Sequence, residues 1–196
     1  MALMASLFAT MILTGLGLSL VLLGSAETAL AARDWQAVAA AQAAHGALAL
    51  ATSELRGRPD WVGVVTGGAQ PEVCAAPGGL VDPSLAPRSP WDGSMSLDLA
   101  ALTHQRQAAS DAAAPPGLPG PVWRLFDYGP ISRLIPASGA RPPFYVAVWA
   151  ADGADGLLVL RATALGADGL TASVEASLMR QPDGVSVGRM AIRAVP

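Results

Sequence analysis

The chain has 196 residues, 52% of them hydrophobic, with a formal net charge of −3 and a mean hydropathy of +0.42. All 12 basic residues are arginines and they are scattered, so there is no basic stripe of the kind that binds nucleic acid. Cys74 is the only cysteine, which excludes an internal disulfide, and the length suits one modest domain beside a long helix.

Residues 1–26 carry no charge, and a bilayer span needs ~20 mostly apolar residues. The helix-forming pattern does not stop there. It continues through Glu27, Arg33, Asp34, Trp35 and an alanine-rich stretch, and breaks only at Gly57 and Pro59. This predicts one helix over residues 1–56, roughly 80 Å long at the standard rise. It divides into a transmembrane segment, 1–26, and an amphipathic extension of the same helix, 27–56. Ala2, Ala5, Ser6, Ala9, Thr14, Gly15, Gly17 and Gly24 give the first part small side chains of the kind that let helices pack closely in lipid. In the second part Leu30, Val38, Leu48 and Leu55 mark a face to be covered, and the C-terminal region is the available cover. The competing reading is a cleavable signal peptide, with Gly24-Ser25-Ala26 or Ala29-Leu30-Ala31 as the cut site. The missing basic n-region and the length of the apolar run favour a retained helix.

Residues 57–142 form a Pro/Gly-rich irregular region with short elements, punctuated by Gly67-Gly68, Gly78-Gly79 and Pro115-Pro116. A short helix is expected at 95–109, capped by Ser94 or Ser96, followed by a loop over 112–121. Residues 122–128 have strand-like density in Val, Trp, Phe and Tyr.

Residues 143–196 read as an antiparallel meander. Strands are expected at 144–150, 157–165, 171–179 and 185–194, with Asp152-Gly153, Asp155-Gly156, Asp168-Gly169 and Asp183-Gly184 as turn signals. Phe144, Val146 and Val148 share one face of the first strand. In the third, Thr171, Ser173, Glu175 and Ser177 alternate with Ala172, Val174, Ala176 and Leu178. That alternation predicts one polar face and one buried face, the latter covering the long helix. The fold class is therefore α+β, a long N-terminal helix packed on a C-terminal antiparallel sheet.

This layout resembles type IV pilins and type II secretion pseudopilins, and the N-terminus resembles the PilX-type minor pilins in particular. The residues that carry the likeness are Met1-Ala2-Leu3, the apolar span, Glu27-Thr28-Ala29, and the helix from Trp35 to Leu55. Looser likeness lies in Phe144-Tyr145-Val146 and in residues 158–164 and 172–178. The resemblance implies a bacterial inner-membrane protein, single-pass with a periplasmic C-terminal domain, that helps initiate or cap a type IV pilus or pseudopilus. Its implied partners are other pilin subunits, the assembly platform, membrane lipid before assembly, and prepilin peptidase if a leader precedes the chain. Major pilins carry a Glu at the fifth mature position; here it is Ala5, which suits a minor subunit. No basic leader ending in Gly precedes Met1, so the resemblance expects an upstream start or a chain beginning at its mature residue. Arg33 lies beyond the span with no basic residue before it, which opposes N-in topology unless such a leader exists.

No catalytic, cofactor-binding or metal-binding set emerges, and the expectation is a protein that is not an enzyme. His45 and His104 are far apart and lack a Cys or carboxylate at ligand spacing. Asp82 and Asp92 are too sparse for calcium, and Ser25 and Ser94 have no base or oxyanion motif. The glycines of 63–68 do not follow a strand as a phosphate loop requires. Cys74 reads either as a small apolar loop residue or as a thiol pairing between chains. Trp61, Trp91, Trp123 and Trp149 read as anchors of small cores, or as a patch for a partner. The alternative function is a membrane-anchored periplasmic binding domain that never enters a filament.

Overall fold

The structure, a computed structural model, describes residues 2–58, 60–66, 96–131, 144–153, 156–166, 169–181 and 184–195. Pro59, Cys74, Asp82, Trp91, Asp92, Ser94, Met95, Asp155, Asp168 and Asp183, all singled out above, lie outside them. Two compact units are present, Met1–Val38 and Ala39–Pro196.

Helix α1 is uninterrupted over Ala2–Gly57. Alanine has the best helix propensity, and the stop comes where Gly57 meets Pro59. The short α2, Val62–Thr66, opens with the Asp60 carboxylate accepting from the Val62 amide at 3.2 Å. Trp61 closes the end of α1, its Nε1 donating to the Leu55 carbonyl at 3.2 Å.

Helix α3 spans Leu99–Ala113. It begins and ends four residues later than the expected 95–109, because the cap is Asp98 and not Ser94 or Ser96. The Asp98 carboxylate accepts from the Ala101 amide at 2.8 Å. Leu97 just before the cap and Leu102 in the first turn pack into one cluster, a hydrophobic staple that fixes where the chain enters the helix.

Among the described residues, five strands form one antiparallel sheet in chain order: β1 Trp123–Pro130, β2 Phe144–Asp152, β3 Leu157–Gly166, β4 Thr171–Gln181 and β5 Gly184–Val195. β1 falls where residues 122–128 have strand-like density, at the end of the Pro/Gly-rich region, and a bulge between Leu125 and Asp127 shifts its register on β2. The turn glycines Gly156 and Gly169 sit at φ of 76°, where a side chain would be strained.

The sheet is covered on both faces, not one. Toward α1, Phe144, Val146 and Val148 join Leu160, Val174 and Leu178 against a stripe of Ala40, Ala43, Ala44, Ala47, Leu48, Ala51 and Leu55. Those α1 residues recur at helical spacing, and their small size lets the helix lie close to the strands. Toward α3, Tyr145, Ala147, Trp149 and Ala151 pack with Trp123, Leu97 and Leu99. β2 is thus buried along nearly its whole length. The expected polar face is closed in part by α3, and Thr163 and Ser173 are only 6% and 4% exposed.

Candidate functional site

Two surfaces have features that packing alone does not account for. The first is the N-terminal part of α1. Its large apolar side chains, from Leu3 to Leu23, are all 58–78% exposed in this chain. Its hydroxyls are turned back onto the helix. Ser6 donates to Leu3, Thr10 to Leu7, Thr14 to Thr10, Ser19 to Gly15 and Ser25 to Leu22, each to a carbonyl within 2.7–2.9 Å. A side chain that bonds its own backbone asks nothing of its surroundings, which is what a hydrocarbon environment requires. This is a helix long and apolar enough to cross a membrane. Leu30 and Val38, expected on the covered face, are 61% and 51% exposed; cover by the sheet begins at Ala40.

The second is a cleft of about 510 Å³ between α3 and the outer face of the sheet. Arg106 of α3 and Arg161 of β3 stand in its wall with Thr163, Ser173 and Trp123. The Arg106 guanidinium carbon lies 4.1 Å from the centre of the Trp149 ring and 5.6 Å from that of Trp123. Nη2 donates to the Thr163 hydroxyl at 3.3 Å, and that oxygen is 2.9 Å from the Ser173 hydroxyl. Nε and Nη1 are buried and have no hydrogen-bond partner among the described residues. Burial above all, and then the charge of Arg161, lower the Arg106 pKa to about 9, against an upward pull from Glu175. Arg161 is itself 3.9 Å from Glu175, its cross-strand neighbour.

Side chains of α3 hold this arrangement in place. Trp149 Nε1 donates to the Thr103 hydroxyl at 2.8 Å, and the Gln107 side-chain oxygen accepts from the Trp123 amide at 2.9 Å. The chain returns from α3 through Gly120, packed so tightly on Ser110 that an added Cβ would lie 2.6 Å from that carbonyl oxygen.

The residues weighed above for chemistry are not brought together. His45 lies half-buried on α1 and His104 is exposed on α3, helices that pack on opposite faces of the sheet. No group of three or more His, Cys, Asp or Glu among the described residues is placed to hold a metal. Trp123 and Trp149 are core residues of the α3 side, and Trp61 packs at the edge of the α1 side. Sequence reasoning missed Arg106, the residue around which the cleft is built. Comparison with family models, curated proteins and solved structures found no match to this chain.

Proposed function

We propose that the protein is a minor pilin-like subunit of the PilX type, anchored by residues 1–26 in a bacterial inner membrane, with its C-terminal domain in the periplasm. The observation that carries this reading is the single unbroken helix Ala2–Gly57 with two kinds of surface. Its first part exposes only apolar side chains and self-satisfied hydroxyls; its last part is an alanine stripe seated on an antiparallel sheet. Lipid and neighbouring helices are equally apolar, so moving such a span from membrane to filament keeps its apolar surface out of water. The role is structural: the helix packs with other pilin subunits at the assembly platform, and the domain initiates or caps the filament.

Two experiments test it. Mass spectrometry of the native protein, with and without prepilin peptidase, should find a mature N-terminus at Met1 that is lost without the peptidase. A start near Glu27 would sink the proposal. Gly15→Leu should abolish incorporation into filaments while leaving membrane insertion intact, because only helix packing in the filament needs the small side chain. Normal incorporation of that variant would count against the packing role.

One observation favours the second reading, an anchored binding domain outside any filament: the cleft has the size of a small-ligand site. An uncut membrane segment, with no filament association, would support it.

A further inference from the structure

We infer that the outer edge of β5 takes up an extended acidic segment of another protein as a sixth strand of the sheet. The site belongs to the sheet alone and stands independently of whether the protein enters a filament.

The two edges of the sheet are built differently. β1 is the shortest strand, 8 residues against 12 for β5. Its register is broken by the bulge between Leu125 and Asp127, and it ends on Pro130, which has no N–H to offer. Helices α2 and α3 both pack against it, and the amide of its first residue, Trp123, already donates to Gln107. Such devices close a sheet edge to newcomers. β5 contains no proline, and among the described residues no strand lies beyond it. Its pairing with β4 shifts between Ala176 and Leu178, which leaves a regular run over 190–195. In that run every second residue turns its N–H and C=O away from β4, where an added strand can bond them.

Charge selects the occupant. β5 carries Arg189 and Arg193 and no acidic residue, while Glu175, the one acid of β4, is 3.9 Å from Arg161 of β3. A second copy of β5 laid alongside would gather four arginines on one seam, and like charges across strands are destabilising. The arginines thus keep like edges apart and favour a strand with Asp or Glu at alternate positions.

The test uses the full chain in detergent and octapeptides that alternate valine with glutamate, glutamine or lysine. NMR titration should give saturable binding of the glutamate peptide, with amide exchange slowed at alternate residues of 190–195 and unchanged in β1. The lysine peptide should bind at least about tenfold more weakly, with glutamine between, and added salt should narrow the gap. Two further glutamate peptides carry N-methyl groups at odd or at even positions. The one whose methyl groups face β5 should bind at least about tenfold more weakly, whereas the other keeps the N–H groups that face the sheet and should bind like the parent. Replacing both arginines, Arg189→Glu with Arg193→Glu, should reverse the order of the glutamate and lysine peptides. The inference would be overturned by no saturable binding, by equal behaviour of the two N-methylated peptides, or by an unreversed preference in the double variant. Sedimentation showing a dimer that the glutamate peptide splits would assign the edge to a second copy and overturn it too.

Discussion

Arg106 packs its guanidinium against two indole rings, with Nε and Nη1 lacking a hydrogen-bond partner among the described residues, and a buried cation is costly unless something answers it. Arg106→Met should therefore raise the stability of the unliganded protein at pH 7 by ~1–2 kcal/mol, measured by denaturant unfolding. The folded pKa of about 9 lies below the ordinary arginine value, so above about pH 9 the unfolded chain binds more protons than the folded one. Stability of the wild type then rises with pH, and the advantage of Arg106→Met should shrink as pH climbs past about 9. Gly120 makes the opposite case, a residue chosen for what it lacks. Gly120→Ala should cost ~1–3 kcal/mol, because its Cβ meets the Ser110 backbone as well as the Ser110 hydroxyl, and the backbone cannot turn aside. Neither role was legible in the sequence. Arg106 sits in a polar run, and its partner Thr163 is 57 residues away, a separation no local pattern encodes.

At the scale of elements, the strands of the C-terminal half were readable because period-two alternation and Asp-Gly turns report on neighbours in the chain. The second cover on the sheet was not. Thr171 and Ser173 look solvent-facing by type, yet α3 reaches over them from far upstream, and Trp149 and Tyr145 on the same face were the available hint. The start of α3 was misplaced because Asp98 and two serines compete as caps; the staple of Leu97 on Leu102 decides for the aspartate. The docking stripe of α1 was obscured by alanines all round the helix, which flatten its amphipathic pattern although only some are covered. Ala44 and Ala47 have no exposed surface, and they set how near the helix comes to the strands. Ala47→Leu should destabilise the domain by ~1–3 kcal/mol in thermal or denaturant unfolding. Ala49→Leu, at an exposed position on the same helix, should change stability by less than ~0.5 kcal/mol.

For the molecule as a whole, α1 belongs to both compact units, but among the described residues neither hydrophobic core draws on a buried residue before Ala40. Deleting residues 1–33 should therefore shift the melting temperature of the remaining domain by no more than about 3 °C, the equivalent of about 1 kcal/mol, in circular dichroism scans. The same deletion should move the protein from the membrane fraction to the aqueous one, which the composition of the first 26 residues already foretold.

The sheet order follows the chain order, and three of its connections are only four, four and two residues long. No strand from β2 onward has to wait for a partner made much later, so the entropy of closing each loop is small and pairing can propagate from one hairpin to the next. The docking of residues 40–55 is different in kind, because it closes the longest loop in the domain. That seam is therefore expected to form late in folding, so substitutions across it should speed unfolding more than they slow refolding, which the two arms of a chevron plot would show.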